Sequence, residues 1–169
     1  MVRNWPVFHS GQIIDIVEIG SFVGRTALAM ASPGNSLVHC VDTWAGNPSD
    51  PVGSVVKSKN PDVLCFDERL FKTFCKNVGP KLYKTILPCV GLSSTYASVW
   101  PLKADIIFID ADHSYESVKE DILAWKRHVR DGGILCGHDF GIFPGVDKAV
   151  TELLPGFQRG GRTIWWIKL

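Results

Sequence analysis

Val17-Glu18-Ile19-Gly20-Ser21-Phe22-Val23-Gly24-Arg25-Thr26-Ala27 is the stretch from which the rest of the chain can be read. It closes an apolar run over residues 13–19, which predicts a strand buried on both faces. The run carries one acid near its end, then Gly20, then Gly24. A helix-like segment over residues 23–31 follows at once. Strand, glycine turn and helix form the first unit of a doubly wound α/β sheet, with a ligand expected against the glycine backbone and the helix start. The dinucleotide fingerprint G-x-G-x-x-G is absent, because Phe22 stands where its second glycine would be. A tight turn with no ligand is the plain alternative.

Working outward, Ser32-Pro33-Gly34-Asn35 stops the first helix, and residues 37–41 predict a second strand ending in Asp42-Thr43-Trp44. Residues 45–60 are rich in Gly, Pro and Ser, too long for a plain connector, and read as a functional loop. Phe66, Leu70, Phe71, Phe74 and Val78 recur at helical spacing within residues 65–78. Strands are expected at residues 85–90, 105–109 and 134–138, and helices at 94–99, 115–129 and 144–154. Asp131-Gly132-Gly133 is expected to stop the helix before it. Trp165, Trp166 and Ile167 mark a closing strand over residues 162–169. Only a short glycine-bearing turn precedes it, too short for a parallel crossover, so an antiparallel last strand is expected. Residues 1–11, with Trp5, Pro6 and Phe8, read as a lead-in packed on the sheet edge.

Composition narrows the class. The chain has 169 residues, 46% hydrophobic and 21% charged, which suits one globular domain spanning residues 1–169. A formal net charge of +1 gives no general drive toward nucleic acid or membrane surfaces. No apolar run has the length of a membrane span, and the N-terminus lacks an apolar signal core. The five cysteines, Cys40, Cys65, Cys75, Cys89 and Cys136, lack metal-type spacing, and a reducing, cytoplasmic setting is expected. No internal repeat is present.

E-I-G-x-x-x-G at residues 18–24, with V-D-T-W at 41–44, resembles the first two motifs of class I S-adenosylmethionine (SAM) dependent methyltransferases. The block Asp110-Ala111-Asp112-His113-Ser114-Tyr115-Glu116 with Gly132-Gly133-Ile134-Leu135-Cys136-Gly137-His138-Asp139 is similar to a branch of small-molecule and sugar O-methyltransferases. The resemblance covers about residues 13–169. It implies a Rossmann-like, doubly wound seven-stranded sheet, mostly parallel with an antiparallel last strand. The activity implied is O-methylation of a small molecule or sugar with SAM as cofactor.

Strand ends supply the candidate site. Cofactor-binding candidates are Glu18, Gly20, Ser21, Phe22, Gly24, Asp42, Thr43, Trp44, Ser93 and Asp110. Asp42, 22 positions after Gly20, can accept ribose hydroxyls or cap a helix. Trp44 can face adenine or fill core, and Ser93, of a G-x-S after the third strand, can touch the adenine side or cap a helix. Glu18 needs a partner in an apolar strand; the resemblance implies that it fixes the cofactor's amino end indirectly. Asp112 can cap the next helix, and His113 can be a backbone-bonded spacer.

Asp110, His138 and Asp139 can hold a hard divalent ion such as Mg²⁺, as acids do at two of these positions in metal-dependent relatives. His138 and Phe140 depart from the usual pair there. Without metal, His113 or His138 can act as general base, so the catalytic candidates are His113, His138 and Asp110. The alternatives are an NAD- or nucleotide-sugar-binding oxidoreductase and a non-catalytic cofactor-binding protein of the same fold. Expected partners are the small-molecule or sugar acceptor and at most further copies of the chain, with no nucleic acid or membrane.

Overall fold

The computed structural model describes residues 11–32, 35–46 and 66–169. All but Gly11 of the expected lead-in at residues 1–11, Pro33 and Gly34 of the first helix stop, and nearly all of the 45–60 loop lie outside them, as does Cys65. The strands are β1 (Ile14–Ile19), β2 (Ser36–Asp42), β3 (Ile86–Val90), β4 (Ala104–Ile109), β5 (Val129–Gly137), β6 (Gln158–Arg159) and β7 (Trp165–Lys168). The helices are α1 (Arg25–Met30), α2 (Glu68–Val78), α3 (Ser93–Val99), α4 (Tyr115–Trp125) and α5 (Pro144–Leu153). They build a seven-stranded sheet in the order β3-β2-β1-β4-β5-β7-β6. The first five strands are parallel to one another, and β7 is antiparallel to both β5 and β6. The expected Rossmann-like architecture is present, with β6 as a short strand that its charged and glycine-rich surroundings concealed.

Period-two alternation divides the core. Ile16, Val38, Cys40 and Ile86 face α1 and α2 through Ala27, Ala31, Phe74 and Val78. Val17, Ile19, Val41, Ile107 and Leu135 face the opposite layer, where Ala97, Val118, Ile122, Trp125, Val146 and Val150 meet them. Both faces of the central strands are therefore covered, as their continuous apolar runs require.

One boundary differs from expectation. α4 ends at Trp125, a 3₁₀ turn spans Lys126–His128, and β5 begins at Val129. Val129 pairs with Ala104 and Ile134 with Ile106, so residues 130–133 loop out of the ladder. Gly132 (φ +77°) makes that bulge; a Cβ on Gly133 would lie 2.7 Å from the Asp105 carbonyl oxygen. The Asp-Gly-Gly signal marks an irregular strand rather than a helix stop.

The chain runs outward from β1 to β2 and β3, then returns to place β4 on the other side of β1. The carboxyl ends of β1 and β4 therefore form the point where strand order reverses.

Candidate active site

A cavity of about 640 Å³ opens at that reversal point, within the usual range for small-ligand sites. Its walls come from the ends of β1, β2, β3, β4 and β5 and from α4. Of the sequence-expected residues, Gly20, Ser21, Phe22, Asp42, Thr43, Ser93, Asp110, His113, His138 and Asp139 line it; Glu18, Gly24 and Trp44 do not.

Asp42 is a clamp between two turns. Its Oδ2 accepts the Phe22 N–H (2.7 Å) and its Oδ1 accepts the Trp44 N–H (2.7 Å), while Trp44 Nε1–H donates to the Phe22 carbonyl (2.8 Å). Phe22 and Trp44 both have φ +46°, a left-handed conformation that costs non-glycine residues of order 1–3 kcal/mol each. Two hydrogen bonds to a charged acceptor, about 1.5–3 kcal/mol each, offset a strain of that size. Burial raises the Asp42 carboxyl above the usual range, and the Phe22 and Trp44 N–H groups oppose that shift. Asp42 does not cap a helix.

Trp44 corrects an expectation. Its ring is fully buried, edge-on to Phe71 and Phe74 at 4.9 Å, so it is core of the α2 layer and offers no face to a ligand. The two glycines are also used differently from expectation. A Cβ on Gly20 (φ +87°) would collide with the Asp110 carbonyl and lie 2.6 Å from Ala111 Cα. A Cβ on Gly24 (φ +81°) would lie 2.8 Å from Val78 Cγ1. Gly20 permits close approach of the β1 and β4 ends, and Gly24 permits packing of α1 on α2; the ligand is not what demands either one.

Glu18 is wholly buried behind the Gly20–Ser21 turn. Neither carboxylate oxygen nor the Ser21 hydroxyl has a partner of good hydrogen-bond geometry among the described residues. Burial pushes Glu18 from the ordinary 4.5 up to about 7; the nearby Ser21 hydroxyl and Cys40 thiol resist this, and Asp110 and Asp42 add to it.

Ser93 opens α3, but Leu92 holds the cap position. The Ser93 hydroxyl donates to Asp121 Oδ1 and accepts from Trp125 Nε1–H (2.8 Å). Asp121, buried on the cavity wall and pushed by burial to about 6, is the residue that sequence reading missed. The signal was available: Asp121 is an acid on the same helical face as Val118, Ile122 and Trp125. Glu120 also lines the cavity. Asp112 Oδ1 accepts the Ser114 N–H (2.8 Å), and Ser114 rather than Asp112 caps α4.

The remaining polar groups converge on Asp139, a non-glycine residue at φ +65°. His113 Nε2 lies 2.8 Å from its Oδ2 and His138 Nδ1 lies 2.8 Å from its Oδ1. Asp110 Oδ1 is 3.9 Å from His138 Nδ1. Burial, opposed by His138, raises the Asp110 carboxyl. The His113 ring stacks on Phe143 at 4.2 Å. His113 is therefore a rim residue, not a spacer.

Among the described residues, the set whose donor atoms lie within 4.8 Å of one another is Asp110, His113 and Asp139, with His113 in the place expected for His138. These residues fit a hard divalent ion such as Mg²⁺ poorly. His113 Nε2 is at hydrogen-bond distance from Asp139, so ligation through Nε2 would cost the proton that makes that bond. Both Asp139 oxygens already face imidazole nitrogens, and imidazole is a poor partner for a hard ion.

A family of methyltransferase domains matches residues 17–140, from the middle of β1 to just past Asp139. The chain belongs to that family. The methyltransferase assignment sets aside the oxidoreductase alternative, and SAM is the family's cofactor. None of the curated proteins compared with this methyltransferase domain matches it in sequence.

Solved structures share its fold. The O-methyltransferase NovP is 18% identical at a TM-score of 0.60, over 91% of this chain and 71% of NovP. SMU.1697c from Streptococcus mutans, in complex with SAH, is 9% identical at 0.63, over 93% and 89%. The Methanococcus jannaschii fibrillarin pre-rRNA processing protein is 14% identical at 0.61, over 94% and 67%. In one solved structure of this fold the methyltransferase domain spans only 43% of the other chain. The fibrillarin likeness means that the fold leaves a nucleic-acid acceptor open, so the expectation of none rests on charge alone. No helix among the described residues is long and apolar enough to cross a membrane.

Proposed function

We propose that this methyltransferase domain binds SAM in the cavity at the β1–β4 reversal and methylates an oxygen of a small hydroxylated molecule or sugar, with His113 as general base. The observation that carries the base is the 2.8 Å contact of His113 Nε2 with Asp139. A charged carboxylate only accepts, so the His113 proton sits on Nε2 and the Nδ1 lone pair is left to receive another. Asp139 holds the ring and stabilises the imidazolium that forms, as orienting carboxylates do for catalytic histidines.

The cavity's residues fit SAM. Asp42 is an acceptor at the end of β2, suited to ribose hydroxyls. The buried Glu18 carboxylate, with no well-formed hydrogen bond among the described residues, lies behind the turn that would meet the cofactor's amino end, and it acts there through its field rather than by contact. When bound, SAM supplies a methyl group activated by its sulfonium. The protein's contribution is to position the acceptor oxygen and to take its proton at His113. No step requires a metal.

The test is a screen of hydroxylated metabolites, with total RNA as a parallel acceptor, read as methyl transfer from labelled SAM and release of SAH. Turnover on a small hydroxylated compound, unchanged by excess EDTA and reduced roughly 10²–10⁴-fold by His113→Gln, is the expected result. Transfer only to RNA would overturn the acceptor class. A need for Mg²⁺, or full activity of His113→Gln, would overturn the base. SAM binding without turnover on any acceptor would favour the non-catalytic alternative.

A further inference from the structure

Among the other polar clusters of the described residues, Arg130 is paired with Asp105 and Asp15, and Tyr115 with Glu152. The side of Asp139 remote from His113 is different. His138 touches Asp139 through Nδ1, and its other nitrogen, Nε2, lies 2.7 Å from Thr163 Oγ1. Thr163 stands in the turn between β6 and β7, in the last part of the chain. The Phe140 N–H donates to the Thr163 carbonyl (3.0 Å), so the turn is also joined to the backbone just after Asp139.

We infer that Thr163 is a positioning residue for the His113 base, acting through His138 and Asp139. The inference rests on the reading of His113 given above. A charged Asp139 has no proton to give, so both facing nitrogens, His113 Nε2 and His138 Nδ1, must carry one. A neutral His138 with its proton on Nδ1 has a bare Nε2, and that nitrogen needs a donor. The Thr163 hydroxyl is the donor at the right distance. The chain of protons then runs one way: Thr163 O–H to His138 Nε2, His138 Nδ1–H to Asp139 Oδ1, with His113 Nε2–H answering on Oδ2. His113 Nδ1 has no partner among the described residues and keeps its lone pair.

This arrangement gives the hairpin a task beyond closing the sheet. Asp139 sits in a left-handed conformation, and its carbonyl accepts the N–H groups of Ile142 (3.1 Å) and Phe143 (3.3 Å). Its carboxylate is aimed by the two imidazoles, one of which is held from β6–β7. Supports of this kind orient a working carboxylate or imidazole as much as its direct neighbours do. His138, expected as a base or ligand, is by this reasoning occupied at both nitrogens and transfers no proton to or from substrate.

The experiment reads the imidazole nitrogens of the intact chain by long-range ¹H–¹⁵N correlation at about pH 8.5, above the ordinary imidazole range. In the parent, His138 should carry its proton on Nδ1 and His113 on Nε2. Thr163→Val, which keeps shape and removes the hydroxyl, should shift the His138 tautomer balance and move the His113 nitrogen resonances. Thr163→Ser should restore both.

A parent His138 protonated on Nε2 would overturn the proposal, and that outcome is readable even if Thr163→Val fails to fold. Unchanged His113 and His138 resonances in a folded Thr163→Val would also overturn it. SAM titration of the same samples keeps the two readings apart. Binding with undisturbed tautomers in Thr163→Val removes the positioning role alone. A tautomer relay that responds as expected in a protein that binds no SAM removes the methyltransferase reading of the cavity alone.

Discussion

Two carboxylates at the ends of neighbouring strands do different work, and their surroundings decide which. Glu18 is buried with no well-formed hydrogen bond among the described residues and is raised to about 7. An acid whose folded pKa lies above its unfolded value gives stability that is complete below about pH 4.5 and lost as the pH rises through about 7. Glu18→Gln removes that loss, so it should gain roughly 1–3 kcal/mol at pH 8 and little at pH 5. SAM affinity of the same variant should fall. Denaturant unfolding at both pH values and a SAM titration check this; a gain of equal size at both would contradict the burial argument. Asp42 is satisfied instead by two N–H groups, and Asp42→Ala would free two strained turns. It should cost about 1.5–3 kcal/mol of stability and at least tenfold in SAM affinity, with Asp42→Asn between it and the parent. Sequence reading found both acids because each interrupts an apolar strand at its carboxyl end. It could not tell that Trp44 turns inward, because an aromatic residue after a strand serves core and ligand equally well in one dimension.

At the scale of elements, period and glycine placement carried the order of strands and helices, and the errors share one cause. Residues 126–133 read as helix and stop because Lys126, Arg127 and His128 continue a helical pattern before Asp131-Gly132-Gly133. The ladder with β4 claims Val129 first, and the glycines absorb the bulge. β6 was hidden because a two-residue strand has no period to detect. Asp121 was visible as a core-face acid, but only the fold brings it to Ser93 across the α3–α4 contact. The same distinction between local and long-range demands separates two glycines. Gly20→Ala would press a methyl group into the Asp110–Ala111 backbone and push β1 and β4 apart. It should lower stability by about 2–4 kcal/mol, the cost of overpacking added to an unfavourable φ, and abolish SAM binding. Gly79→Ala, also at positive φ but with nothing within 4 Å of the new Cβ, should cost only about 1 kcal/mol. Unfolding midpoints of the two variants test this; equal losses would mean that the close approach at Gly20 is not what holds the two strand ends.

Over the whole molecule, charge is nearly balanced at +1, yet its acids are not evenly placed. Glu18, Asp42, Asp110 and Asp121 all cluster at the carboxyl edge of the sheet, and burial raises every one of them. With Glu18 at about 7 and Asp121 at about 6, these two acids hold more protons in the folded protein than in the unfolded chain between about pH 4 and pH 7. Their contribution to the stability of the ligand-free protein should therefore decline as pH rises through that window, the reverse of acid denaturation. His39, which burial holds below the usual imidazole range, and Asp67 and Asp112, which hydrogen bonds hold below the usual carboxylate range, work in the opposite sense. A ligand with positive charge removes the penalty where the acids are ionised. SAM carries a sulfonium and an ammonium group and SAH only the ammonium. The rise in melting temperature on saturation should then be larger at about pH 8 than at about pH 5, and the pH dependence should be steeper for SAM than for SAH. Thermal unfolding with each ligand at the two pH values measures both differences. A SAM shift that is the same at both would show that the acids around the cavity do not sense the charge of the methyl donor. Recognition would then have to come from the neutral contacts of the ribose and base.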